Sequence, residues 1–190
     1  MSIVIIDSGG ANLTSIKNAF ERISSQAVVS IDENIISNAD YVILPGVGSA
    51  QMVMQSLISN NLVNVIKSLT QPVLGICVGM QILFNSSEEQ NCKCLGLIND
   101  DIKKFNLPKD KAVPHMGWNK VIFESEQLLN NYYYFANSYY APITKDTTGI
   151  CEYGIEFSAT VQKDNFFGCQ FHPEKSSNSG IKFIQNFLNY

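Results

Sequence analysis

A chain of 190 residues falls within the usual span of one domain and is long enough to bury a sizeable core. With 45% apolar and only 16% charged residues, it is too apolar for a disordered or coiled-coil chain and suits a buried sheet flanked by helices. The net charge of -4 at pH 7 comes with no block of basic residues, so the electrostatic footprint of a nucleic-acid binder is missing.

Apolar runs stay short of the roughly 20 residues that span a bilayer, and the chain opens on an apolar strand without a charged leader, so a cytoplasmic protein with no membrane partner is expected. The five cysteines, Cys77, Cys92, Cys94, Cys151 and Cys169, are odd in number and irregularly spaced, which points to reduced thiols rather than a disulfide framework.

In chain order, Ile3 to Ile6 is a uniformly apolar run ending at Asp7-Ser8-Gly9-Gly10, the pattern of a strand buried on both faces followed by a turn. Leu13, Ile16, Phe20 and Ile23 recur at helical spacing, and Ala27 to Ile31 again favours a strand, so the chain begins with a strand-helix-strand unit. Tyr41 to Leu44 and Pro72 to Ile76 are further apolar strands, separated by helix-compatible sequence from Ala50 to Leu69. After about Asn91 the pieces shorten: Val121 to Phe123, Tyr132 to Phe135, Ser158 to Val161 and Phe166 to Phe171 read as added antiparallel strands. Ile181, Phe183, Ile184, Phe187 and Leu188 form the apolar face of a closing helix. No linker or repeat divides the chain. The expectation is one α/β domain over 1–190, with a largely parallel central sheet flanked by helices and antiparallel strands added in the C-terminal half.

Gly75-Ile76-Cys77-Val78-Gly79-Met80-Gln81 carries the most chemistry. A buried strand meets glycine, cysteine and glycine before a helix, which is the form of a nucleophile elbow: small neighbours permit the sharp turn that lifts the central side chain out. A helix amino terminus there favours the thiolate. A free cysteine is ordinarily just buried, but flanking glycines after a strand reverse that balance. The base must come from His115 or His172. His172 ends the run Phe166 to Phe171, and Glu174 lies two residues on, within reach to orient the imidazole. Pro45-Gly46-Val47-Gly48 follows another buried strand, where close backbone amides can meet an oxyanion; the amide of Val78, just after the nucleophile, would be the second donor. An ordinary Pro-Gly turn explains the first of these segments equally well taken alone.

Cys92 and Cys94 lack the second pair or the histidines of a zinc site and read as loop thiols, so no metal is expected. Asp7 to Gly10 lacks the pattern of a phosphate-binding loop. Tyr132 to Phe135 with Tyr139 and Tyr140 reads as sheet packing.

Together, Pro45-Gly46-Val47-Gly48, Gly75 to Gln81 and Phe171-His172-Pro173-Glu174-Lys175-Ser176 resemble, in the right order, the three signature segments of class I (triad) glutamine amidotransferases. Within that class, Asp7 to Leu13, the pair Glu88-Glu89 and Pro114-His115-Met116-Gly117-Trp118-Asn119 are similar to the HisH family, the glutaminase subunits of imidazole glycerol phosphate synthases. The resemblance implies that Cys77 attacks glutamine, His172 moves the proton and Glu174 orients it. It also implies glutamine contacts from Gly48, Gln81, Glu89 and the backbone around Ser138 and Tyr139, and a partner-facing segment at His115 and Trp118. Ammonia would pass into a (β/α)8 cyclase subunit of histidine biosynthesis, and no cofactor is implied. The family further implies low activity alone, with the Val47 peptide rearranging once the cyclase is occupied.

One departure is Asn137, where the resemblance leads to histidine. Three alternatives stand: a paralogue supplying ammonia to a surface-sugar synthase, a stand-alone cysteine hydrolase, and a non-enzymatic binding module that has kept the triad residues.

Overall fold

The computed structural model describes residues 1–9, 12–23, 26–109, 111–123 and 130–190. Gly10 and Ala11 of the opening turn lie outside the described residues. In chain order the elements are β1 (Ile3–Ile6), α1 (Leu13–Glu21), β2 (Ala27–Ser30), α2 (Glu33–Ser37), β3 (Tyr41–Gly46), α3 (Ala50–Ser59), α4 (Leu62–Ser68), β4 (Val73–Cys77) and α5 (Val78–Gln81). There follow β5 (Phe84–Ser87), β6 (Cys92–Lys93), β7 (Ile98–Lys104), β8 (His115–Phe123), β9 (Asn131–Asn137), β10 (Tyr139–Tyr140), β11 (Thr147–Glu152), β12 (Glu156–Lys163), β13 (Phe166–Cys169) and α6 (Ser177–Phe187).

The expected α/β architecture is present. A nine-stranded sheet runs β2-β1-β3-β4-β13-β12-β11-β8-β9. Its first five strands are mutually parallel and the remaining four antiparallel. Every residue of β1 and β4 is buried, as required of strands covered by helices on both faces. Ile16 and Phe20 of α1, Val53 and Leu57 of α3, and Phe183 and Ile184 of α6 close over that core. Among the described residues no helix is long and apolar enough to cross a membrane.

Three expectations change. The segment 50–69 is two helices, because Asn61 takes a left-handed conformation at φ 57°, which asparagine tolerates better than other side-chain-bearing residues. The run at Phe166 is not purely an added antiparallel strand: β13 pairs parallel with β4 and antiparallel with β12, and its unbroken apolar character reflects that central position. Of the two expected loop thiols, Cys92 falls on β6 and Cys94 follows it in a loop, and both are buried. A second, four-stranded sheet, β10-β7-β5-β6, was not anticipated; β7 reads Ile-Asn-Asp-Asp-Ile-Lys-Lys, whose polar residues conceal a strand with one exposed face.

Candidate active site

Strand register assembles the site. In the parallel sheet β4 lies between β3 and β13, with Gly46 opposite Cys77 and Cys169 opposite Ile76. The carboxyl ends of three adjacent strands therefore deliver Pro45 to Gly48, Cys77, and Gln170 to His172 to one spot, where open α/β sheets hold their ligands.

Cys77 sits at φ 55°, ψ −111°, a region that side-chain-bearing residues rarely occupy and that marks a strained, functional turn. The turn exists only because its neighbours are glycines. A Cβ on Gly79 would lie 1.8 Å from the Leu44 carbonyl oxygen, and one on Gly46 would lie 2.6 Å from the Gly79 nitrogen. Backbone rests on backbone between the Pro45-Gly46-Val47-Gly48 loop and the elbow. Ser8 secures that loop from the far side, its hydroxyl donating to the Pro45 carbonyl at 2.6 Å, which gives the opening turn a structural role. Helix α5 has only four residues, so its dipole, expected to favour the thiolate, is weak.

The counter-charge comes from His172. Its Nδ1 lies 2.8 Å from Glu174 Oε1, with both side chains almost wholly buried. Burial pulls the imidazolium down, but hydrogen bonding and charge from Cys77 and from Glu174 outweigh it and push its pKa up to about 10. At neutral pH His172 is thus a cation poised between a sulfur and a carboxylate, the arrangement that sustains a thiolate nucleophile. The backbone is pinned as well: the His172 amide donates to the Tyr134 carbonyl at 2.8 Å, while Ser176 Oγ donates to the His172 carbonyl at 2.7 Å and accepts from the Tyr134 amide at 2.9 Å.

A cleft of about 240 Å³ opens beside Cys77, lined among others by Gly48, Val78, Gln81, Glu89, Ser138 and Tyr139. Each residue expected to contact substrate is therefore brought to one wall or another. Glu89 Oε2 accepts from the Ala50 amide at 2.8 Å, which anchors the carboxylate at the start of α3. Val47 is half-buried in the glycine loop. Asn137, also in the lining, donates Nδ2 to the Tyr139 carbonyl at 2.9 Å and leaves its buried Oδ1 without a partner. A second cavity, of about 230 Å³ between α6 and the sheet, shares no lining residue with this cleft and contains no acid, base or cysteine other than the tyrosine Tyr190.

The two residues expected at a partner surface separate. Trp118 is 52% exposed, but His115 is only 3% exposed, stacked between Phe135 at 4.8 Å and Tyr153 at 3.9 Å. Burial, and then the charge of Lys111, push His115 down to about 4. It is a neutral core residue, because an aromatic ring on the inner face of β8 packs better than it projects; the expectation that it faces a partner is corrected on this ground. All five cysteines are free and buried; desolvation pushes Cys94 and Cys151 up to about 12, which leaves them inert beside Cys77. Sequence reasoning assigned no role to Gln170, fully buried with its Nε2 3.7 Å from the Cys77 sulfur. The available signal was a polar residue inside an otherwise apolar run, two positions before His172 and so on the same side of an extended chain.

The family model described as glutamine amidotransferase class-I matches residues 4–189. The chain belongs to the class I glutamine amidotransferases. Among curated members of that family, imidazole glycerol phosphate synthase subunit HisH of Shewanella sediminis (strain HAW-EB3) is 47% identical, the match covering 98% of this chain and 90% of the relative. The protein of the same name from Escherichia coli (strain K12) is 46% identical over 99% of both chains. Solved amidotransferase structures share the fold: a glutamine amidotransferase crystal structure superposes with a TM-score of 0.78 at 13% identity, covering 98% of this chain and 97% of that one. A glutamine amidotransferase from Thermotoga maritima gives 0.65 at 14% identity, covering 100% of this chain and 83% of that one.

Proposed function

We propose that this chain is the glutaminase subunit of an imidazole glycerol phosphate synthase, acting as one catalytic domain over residues 1–190 in the cytoplasm and delivering ammonia to a (β/α)8 cyclase subunit. The observation that carries the chemistry is the union of Cys77, on a strained elbow, with the buried His172–Glu174 pair at the adjacent strand end. Near-full-length identity to HisH relatives supports the pathway.

The Cys77 thiolate attacks the side-chain carboxamide carbon of glutamine, forming a C–S bond and an oxyanion that meets the amides of Val47 and Val78. His172 then gives its proton to the amide nitrogen, the C–N bond breaks, and ammonia leaves behind a thioester. Neutral His172 next takes a proton from water, which attacks the thioester; the C–S bond breaks and glutamate departs. Glu174 holds the imidazole in the orientation both steps need. Gly48, Gln81, Glu89, Ser138 and Tyr139 bind the substrate, with the Glu89 carboxylate suited to its ammonium group. Trp118 remains as the partner-facing residue.

Glutamate release measured alone and with the histidine-pathway cyclase plus its nucleotide ligand tests this reading. Strong stimulation is expected; a rate unchanged by an active cyclase contradicts the pathway assignment.

A further inference from the structure

A single chain of hydrogen bonds runs from the cleft wall to the nucleophile. Gln81 Nε2 donates to the Tyr139 carbonyl at 3.0 Å and to Gln170 Oε1 at 2.9 Å, and Gln170 Nε2 lies 3.7 Å from Cys77 Sγ. Gln81 and Gln170 are 3% and 0% exposed, so no solvent competes for these groups. The polarity of the chain is forced by chemistry. A carbonyl oxygen only accepts, so the Gln81 amide nitrogen must face Tyr139; both hydrogens of that nitrogen are then engaged, and the Gln170 atom opposite it must be the oxygen. Gln170 is left with only an N–H to offer the sulfur. Its backbone is fixed in the same sense, the Gln170 amide donating to the Ala159 carbonyl at 2.8 Å.

We propose that Gln170 is the second donor to the reacting sulfur, holding the Cys77 thiolate in the elbow opposite His172, and that Gln81 acts chiefly as the positioning residue that fixes the direction of the Gln170 amide. This rests on Cys77 being the nucleophile. It leaves only Oε1 of Gln81 for a substrate, and it makes the Tyr139 carbonyl, on the cleft wall, the origin of the arrangement.

The test is the rate of Cys77 alkylation by iodoacetamide as a function of pH in the full chain. Adducts are located by mass, which separates Cys77 from the four other buried cysteines. Loss of a hydrogen bond to a charged group predicts that Gln170→Met reacts roughly tenfold more slowly at pH 7, with the acidic limb of the profile displaced to higher pH. Gln170→Glu keeps the shape and the acceptor for Gln81 but sets a carboxylate against the sulfur, and should be slower still. Gln81→Met should shift the profile in the same direction by less. A folded Gln170→Glu protein whose profile matches the wild type overturns the proposal. Alkylation needs neither glutamine nor a partner, so failure here is distinct from failure of the glutaminase reading, which shows instead as glutamate release that survives Cys77→Ala.

Discussion

The two ends of the large sheet do different work. From β2 to β13 the strands are parallel, with β1 and β4 buried throughout, and the carboxyl ends of β3, β4 and β13 converge on Cys77. From β12 to β9 they are antiparallel, and this region contributes walls and surface: Asn137, Ser138 and Tyr139 beside the cleft, and the exposed Met116 and Trp118 on β8. The parallel end can gather a catalytic site because adjacent parallel strands end side by side, whereas antiparallel neighbours send alternate ends in opposite directions. Damage to the parallel end should therefore abolish turnover, and damage to the antiparallel end should alter binding.

The largest effect is expected at the triad. His172→Ala should reduce glutamine hydrolysis by at least roughly 10³-fold, and Glu174→Gln by on the order of 10²-fold, both read as kcat with cyclase present. The His172 imidazole should titrate by NMR near its raised value of about 10, and Cys77→Ala, which removes one of the groups holding the proton, should lower that midpoint. The linked stability has a definite sign. The folded value lies above the ordinary 6.5, so the contribution is complete below pH 6.5, is lost as pH rises, and is gone above about 10. A titration midpoint at or below 6.5 in the wild type would remove His172 from the ion pair.

Next in size is the backbone contact under the elbow. Gly79→Ala places a methyl group against the Leu44 carbonyl, and overpacking of that kind costs about 2–3 kcal/mol, a fall in Tm of roughly 4–12 °C, with turnover lost alongside. An unchanged Tm with full activity would mean that the two loops are not in contact. At the antiparallel end, Asn137→Leu removes the unpartnered Oδ1 from the cleft and should raise the KM for glutamine several-fold, by roughly 1 kcal/mol, with kcat less affected. The smallest effect on the free chain is expected for Trp118→Ala, whose Tm should match the wild type while affinity for the cyclase falls by roughly tenfold, as an exposed aromatic anchor would require. Wild-type affinity in that variant would move the docking face off β8.

The same contrast governs what the sequence revealed. Ile3 to Ile6, Tyr41 to Leu44 and Pro72 to Ile76 are continuous apolar runs, legible because strands buried on both faces leave no polar position to obscure the pattern. The proposed triad is legible in the same way: the glycines around Cys77 announce the turn, and only two histidines compete for the base. Strands β7 and β11 went unread because one exposed face mixes polar residues into them. His115 is placed at a partner surface only by the resemblance of its segment, and nothing local reveals that Phe135 and Tyr153 sandwich it. Gln170 escaped because its importance lies in a direction set by Tyr139 and Gln81, residues distant in sequence and joined only by the fold.

The central claim is that Cys77 alone among the five cysteines is the nucleophile for a glutamine-like substrate. Mass analysis of the chain after exposure to a glutamine-analogue electrophile tests it most directly. One adduct, located on Cys77 and absent from Cys77→Ala, is the predicted result; an adduct on Cys92, Cys94, Cys151 or Cys169, or labelling that survives the substitution, would contradict it.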